Sequence, residues 1–386
     1  MTNVALVKCL SYNQPEVDQA LNEALSPLGG IAQFVKPGQK VLIKPNALMG
    51  KSPDHAVTTH PSIISAVVKK VVKAGGIALV GDSPGNAHSN VAETMEITGI
   101  KQAVEAAGGK MVYFQQEGLI QVKSPSNNKM MPVLTLTKLV ESVDIIINLP
   151  KLKTHTLTGF TGAIKNMFGT VPGFNKALFH SQLREPKDFA EALVDIFQYT
   201  KPVLNIMDGI VGMEGPGPND GQPRQLGLLL ASTDGVALDA IASSLIGYQP
   251  NQIETTVAAH HRKLGELDLG KIRVLGVKLE EVRQADWKKA LNLYSFIKGS
   301  LPGFAYKIIQ PILNQLRIYP VIDQKKCTKC LICYNSCPVK TIHYDKKKKI
   351  VEIDHKDCIN CFCCHELCEF HAIWLKRSWL AKLLNL

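Results

Sequence analysis

The stretch DIIINLPKLKTH, residues 144–155, runs an apolar strand into a proline and then into two lysines and a histidine. A short run of β-branched residues with no polar alternation is a strand covered on both faces, as in a parallel sheet flanked by helices. Outward from it the pattern recurs. VLIKPN (41–46) and IALVGD (77–82) precede it, and VLNIMDG (203–209) and LGLLLAS (226–232) follow. Between these runs, residues 60–75 place Ile63, Ile64, Val67, Val68, Val71 and Val72 on one helical face and end in glycine, and residues 188–200 and 234–247 read the same way. Alternating strand and helix signals predict an α/β large domain over residues 1–286, a mostly parallel sheet with helices on both faces.

Open α/β sheets bind ligands outside the carboxyl ends of their strands, and the chemically active residues of this chain gather there. The strand ends deliver Lys44 and Asn46, Asp82, then Lys151, Lys153 and His155, and then Asp208 and Glu214; a glycine-bounded stretch adds Lys165 and Asn166. Cations on backbone glycines suit an anionic small molecule, a carboxylate or a phosphate. Lys44, Asn46, Asp82, Lys151, Lys165 and Asn166 are therefore the candidate ligand-binding residues. His155, Lys153, Asp208 and Glu214 are the candidate catalytic ones, His155 as acid or base and the two carboxylates for protons or a metal ion. A solvated lysine loop, a turn-forming aspartate or a core histidine would use the same residue types. No GxxxxGK[ST] is present, and Gly215, Gly217 and Gly221 have the wrong spacing for a dinucleotide fingerprint. A flavin would leave no comparable mark, so a flavin or metal ion in the cleft stays open.

The 386 residues exceed what one core usually serves, and a second module is written in the cysteines. Nine of the ten fall between Cys327 and Cys368. Cys327, Cys330, Cys333 and Cys337 are matched 31 residues later by Cys358, Cys361, Cys364 and Cys368, so two copies of C-x2-C-x2-C-x3-C stand in tandem. Three thiolates at intervals of three wrap one face of a cubane, and the fourth reaches the other cluster. The expected assignment is crossed: Cys327, Cys330, Cys333 and Cys368 around one [4Fe-4S] cluster, Cys358, Cys361, Cys364 and Cys337 around the second. Paired zinc sites would not need the third cysteine of each run. The second copy has Glu369 where the first has Pro338, which predicts a more solvated Cys368 half, and Cys363 is an extra thiol, either a packed bystander or a substitute ligand. These residues resemble the bacterial two-cluster ferredoxins over 321–376, a small α+β domain.

The large domain also has a resemblance. GDSPG (81–85), LPKLKTHTLTGFTGAIKNMFGTVPG (149–173), DGIVGMEGPGP (208–218) and DGVALDAIA (234–242) are similar to the domain of unknown function 362, which often carries a C-terminal two-cluster ferredoxin. The resemblance extends over roughly residues 3–285 and implies an iron–sulfur protein with no established substrate. Its motif residues include Lys151, Lys153, His155, Lys165, Asn166, Asp208 and Glu214.

The net charge of +11 is uneven: residues 1–286 hold 27 Lys and Arg against 26 Asp and Glu, residues 287–386 hold 17 against 7. Residues 287–320 contain no acid and read as a basic amphipathic helical linker; residues 377–386 extend an amphipathic tail, with Leu375, Trp379, Leu383 and Leu386 on one face. Both suggest a peripheral membrane contact or an acidic partner as alternatives to packing. Aromatic residues at 6% and basicity spent around clusters argue against nucleic acid. The beginning of the chain has no secretory pattern, and the cysteine pattern is not a disulfide scaffold, so the expected setting is cytoplasmic, with membrane association open. The expected function is electron transfer with a donor or acceptor protein. Two readings follow: a ferredoxin-coupled oxidoreductase or oxidoreductase subunit acting on an anionic ligand in the cleft, or a non-catalytic electron carrier or docking protein whose cleft binds a regulatory anion or partner.

Overall fold

The computed structural model describes residues 1–85, 90–173, 175–183, 185–290 and 318–377. Most of the expected linker, 291–317, and the tail beyond 377 with Trp379, Leu383 and Leu386 lie outside the described residues.

The large domain is built on a ten-stranded sheet: β1 (Thr2–Lys8), β2 (Lys40–Pro45), β3 (Ile77–Val80), β4 (Lys110–Met111), then, after a separate hairpin of β5 (Leu119–Lys123) and β6 (Val133–Thr137), β7 (Ile145–Leu149), β8 (Lys151–His155), β9 (Gly159–Thr161), β10 (Leu204–Glu214), β11 (Gln222–Ser232) and β12 (Ile272–Gly276). The spatial order is β12-β1-β11-β10-β7-β2-β3-β4, with β8 against β10 and β9 against β8. The sheet is mostly parallel; β11 alone runs antiparallel to both of its neighbours, because a hairpin joins it to β10. The expectation of helices on both faces is met residue by residue. Val41 and Ile43 pack with the helices Gln14–Leu25 and Pro61–Lys73, while Leu42 between them packs with the helix Pro186–Thr200. On β1, Val4 and Leu6 face the helix Gly235–Leu245, and Ala5 and Val7 the other side. Trp287 is buried in this last cluster, so residues 287–290 pack on the large domain.

The cysteine module consists of two antiparallel pairs, β13 (Ile318–Ile322) with β16 (Ile373–Arg377) and β14 (Ile342–Asp345) with β15 (Ile350–Ile353), and two short helices, Ile332–Ser336 and Cys363–Glu366. The 31-residue repeat is carried into the backbone. Lys329 and Asn360, Leu331 and Phe362, and Lys340 and His371 all adopt left-handed φ between 48° and 61°, each pair offset by that interval. Because Ile373–Arg377 is strand, Leu375 and Lys376 do not lie on a helix; the apolar face expected from Leu375 onward cannot begin before residue 378.

Candidate functional site

Where β2 and β7 end beside the start of β10, asparagines replace apolar residues and form a relay. Lys44 on β2 is in register with Asn148 on β7, and Asn148 with Asn205 on β10. Lys153 Nζ donates to Asn46 Oδ1 (2.9 Å) and to the Val57 carbonyl (2.7 Å); Asn46 donates to Asn166 (3.0 Å), Asn166 to Asn148 (2.7 Å), and Asn148 to Asn205 (2.9 Å). Beside this relay Lys44 is fully buried against Asp82, 2.7 Å away, and Asp82 also accepts from the amides of Ala47 and Ser83. The loop of residues 167–170 rests on that ion pair: a Cβ at Gly169 would fall 1.9 Å from Asp82 Oδ1.

The helix Ala163–Asn166 carries Lys165 and Asn166, and Asp239 holds its start by accepting from the amides of Ala163 (2.6 Å) and Ile164 (3.1 Å). A Cβ at Gly162 would sit 2.1 Å from Asp239. Burial pushes the Asp239 carboxyl up to about 7, although both amides oppose the rise. Its folded pKa thus exceeds the 3.8 of a free carboxyl. Its contribution to stability is then complete below that value and is lost as pH rises through about 7. Asp239→Asn, which cannot titrate, is expected to flatten this loss. Urea unfolding midpoints at about pH 5 and pH 8 measure it, and an unchanged slope would contradict the assignment.

These groups surround a cavity of about 110 Å³ between the large domain and the cysteine module. From the large domain it is lined by Asn46, Asp82, Lys153, Thr161, Lys165, Asn166, Lys176 and His180, with Leu48 and Phe168 as apolar wall. From the module it is lined by Ser336, Cys363, Glu366 and Leu367. Among the described residues Lys153 and Lys165 form no ion pair. Burial lowers both amines; Lys153 falls well below the ordinary value, with repulsion from Lys165 and Lys151 adding to it, while Glu366 partly holds Lys165 up. Lys176, donating to the Ser83 and Pro84 carbonyls, is brought down to about 7 by burial. Burial and then Lys165 lower His180 to about 3, so its ring is neutral. Across the cavity burial raises Glu366 to about 7, against the pull of Lys165 and Lys153. His155 lies behind Glu366, its Nε2 3.5 Å from Oε1. Its Nδ1 accepts from the amides of Leu157 and Thr158, which places the remaining proton on Nε2.

Not every strand-end residue converges here. Lys151 pairs with Asp208 at 2.8 Å, and Tyr12 and the amides of His60 and Ile210 also donate to Asp208, outside the lining of the cavity. Glu214 pairs with Arg224 (2.9 Å) and Lys288 (3.3 Å) on the β10–β11 hairpin. Conversely, Thr161, Lys176, His180, Ser336 and Glu366 line the cavity without having been singled out. Lys176 and His180, four apart on the helix Asn175–Gln182, left a faint periodic signal; Ser336 and Glu366 left none.

The cysteines divide into two groups. Cys327, Cys330, Cys333 and Cys368 line one small void, and Cys337, Cys358, Cys361 and Cys364 line another, each otherwise walled by mainly apolar side chains. Cys337 Sγ accepts from the Thr341 amide (3.4 Å) and Cys368 Sγ from the Ala372 amide (3.3 Å), the same bond one repeat apart despite Glu369 standing for proline. Cys337 is buried, whereas Cys330 is exposed, so the Cys368 group is the more solvated. Four thiols ringing an apolar void with amide donors to sulfur fit an iron–sulfur cluster, and among the described residues no three ligand side chains meet closely enough to share a single metal ion. Cys363 lines neither void; it is buried, faces the cavity and shares a hydrogen bond with Cys361. The module is held by Asp220, which pairs with His365 (3.2 Å) and His371, and by Asn219, which donates to the Glu366 carbonyl.

Residues 41–244 match a domain of unknown function, DUF362, and residues 319–369 match a 4Fe-4S dicluster domain. The chain is 38% identical over 257 residues to a thylakoid-associated protein of Synechocystis, covering 66% of this chain and 78% of that protein. Among solved structures it is similar to a protein from Thermotoga maritima (14% identity, TM-score 0.36, 58% of this chain and 56% of that one). It is also similar to the lactate racemase apoprotein from Thermoanaerobacterium thermosaccharolyticum (15% identity, TM-score 0.40, 64% and 57%). The chain spans little more than half the length of these two solved chains. Two-thirds of the chain shared with one relative, the match over the sheet and the separate match over the cysteines lead to one assignment: the chain belongs to the DUF362 family and carries a 4Fe-4S ferredoxin-type domain for iron–sulfur electron transfer.

Proposed function

We propose that the chain is an oxidoreductase or oxidoreductase subunit that exchanges electrons between an outside carrier and an anionic small molecule in the interdomain cavity. Two [4Fe-4S] clusters are assigned crosswise, one to Cys327, Cys330, Cys333 and Cys368, the other to Cys337, Cys358, Cys361 and Cys364. The observation that carries this reading is the helix Cys363–Glu366: it contributes Cys364 to a cysteine void and Cys363 and Glu366 to the cavity wall. Bound clusters supply one-electron transfer. The protein's own groups do the rest. Lys165 and Lys153 attract the anion, Phe168, Leu48 and Leu367 exclude water, and the asparagine relay holds Lys153 in place. At about 10–15 Å³ per water-sized site the cavity has room for roughly ten such groups, which favours a compact ligand over a flavin.

Lys165→Ala tests the reading. Its removal takes away a charge-assisted contact, so a bound organic anion is expected to weaken by about 10- to 100-fold while iron content stays the same. Calorimetry with anaerobic protein measures this, and reoxidation of the reduced clusters on adding the oxidised ligand reads the electron step. Equal binding by the variant, or binding without reoxidation by any ligand found, leaves the non-catalytic carrier as the better account.

We propose in addition that the chain touches a membrane surface. The acid-free segment 287–320 supports it, as does the thylakoid association named for the Synechocystis relative. No helix among the described residues is long and apolar enough to cross a membrane. Full-length protein should sediment with anionic vesicles and lose this with added salt, and a version ending at residue 377 assigns the share of the tail. Absence of pelleting at low salt removes the idea.

A further inference from the structure

We infer that the ligand of the interdomain cavity is a short-chain hydroxy acid: one anionic group, one hydroxyl that donates a hydrogen bond, and a small apolar stem. This rests on the reading of the cavity as an anion site and adds what the rest of its wall requires.

Among the described residues nine buried side-chain polar atoms have no hydrogen-bond partner. Two belong to residues that line this one cavity, Thr161 Oγ1 and Ser336 Oγ; two more, Glu366 Oε1 and His155 Nε2, face each other at 3.5 Å just behind its wall. Buried polar atoms are almost always paired, so their gathering around one space marks groups that a polar ligand satisfies. Thr161 is 4% exposed and Ser336 9%, too enclosed for bulk water to serve them freely.

The chemistry of the set selects the ligand. Among the described residues Lys165 forms no ion pair and offers donors to an anion, and the buried Lys153 lines the same space. Glu366 on the opposite wall presents oxygens that a hydroxyl meets with a donor, whereas a bare carboxylate or phosphate brings only acceptors. A ligand that accepts from Lys165 and donates to Glu366 satisfies both walls. Between the two common donors the neighbours decide: Lys153, Lys165 and Lys176 all present N–H donors to the space, which a hydroxyl can accept from and an ammonium cannot. Thr161 and Ser336, which can donate or accept, fit a hydroxyl or the second oxygen of the acid. Leu48, Phe168 and Leu367 provide the apolar contact, and space for roughly ten water-sized groups limits the stem to a few carbons.

The test is calorimetric titration of the anaerobic, cluster-loaded full-length protein with 2-hydroxybutyrate, butyrate and 2-aminobutyrate. The expected order places 2-hydroxybutyrate at least about tenfold tighter than either of the others, with the preference over butyrate reduced severalfold in Thr161→Val and in Ser336→Ala. Both variants are checked for unchanged iron content and visible spectrum, so that a loss of preference is not a loss of the module. Equal binding of butyrate and 2-hydroxybutyrate, both weakened by Lys165→Ala, overturns the hydroxyl requirement and leaves the anion site standing. Tighter binding of 2-aminobutyrate overturns the choice of hydroxyl over amine. Failure of all three acids and of inorganic phosphate to bind at about 10 mM overturns the inference together with the anion reading.

Discussion

Replacing Cys364 by alanine is expected to cut the iron of the anaerobically reconstituted protein from about eight atoms to about four. Cys364 lines the same void as Cys337, Cys358 and Cys361, so its removal leaves three thiols where a cubane needs four. The neighbouring Cys363 is not placed to substitute: it points to the interdomain cavity and to Cys361 and does not line the void, so Cys363→Ala should keep the full iron content. The crossed arrangement has its own signature. Cys368→Ala should leave the spectrum left by Cys330→Ala, and Cys337→Ala the spectrum left by Cys361→Ala, although each cysteine of the pair comes from a different repeat. If Cys337→Ala instead matches Cys330→Ala, the clusters are held within repeats and the assignment is wrong. Exposure of Cys330 adds a direction: air should bleach the Cys330 group before the other.

The second large effect is structural. Lys151→Met is expected to destabilise the large domain by about 3–5 kcal/mol, read as a lower urea midpoint. Lys151 is 1% exposed and Asp208 fully buried, 2.8 Å apart, with Tyr12 Oη and the amides of His60 and Ile210 also donating to the carboxylate. Burial lowers the Lys151 amine and the Asp208 charge holds it up, so the two charges depend on each other. Removing one leaves the other unpaired in the core. Lys151→Met combined with Asp208→Asn removes both charges and should recover much of the loss, because no unpaired charge is then left in the core. A single variant as stable as the original protein would show that the pair does not stabilise the fold.

The strand-end lysines show how far the sequence could be read. Lys44, Lys151, Lys153 and Lys165 are all placed by strands and glycines visible in the chain, yet they have different neighbours. Lys44 is neutralised by Asp82 and Lys151 by Asp208, while among the described residues Lys153 and Lys165 form no ion pair and are attracted across the cavity by Glu366. The sorting depends on register. Against β8 the register of β10 shifts between Asp208 and Met213, so that Asp208 stands opposite Lys151 but Met213, rather than the Ile210 of a regular pairing, stands opposite Lys153. Glu214 is thereby carried past the cavity to Arg224 on the hairpin. A bulge of this kind leaves no mark that composition or periodicity would reveal.

By itself the sequence determined the α/β large domain with helices on both faces of its sheet, the tandem cysteine repeat and the ends of the strands at which polar chemistry collects. Each of these rests on short-range rules: apolar periodicity selects strand or helix, and the reach of a thiolate around a cubane constrains cysteine spacing within a few residues. Only the tertiary structure decided that the module closes over the strand ends, so that Ser336, Cys363 and Glu366 become one wall of a cavity whose other wall is Thr161, Lys153 and Lys165. Contacts between residues so remote along the chain depend on the docking of finished units, through Asp220 to His365 and His371, and local pattern carries no information about that docking.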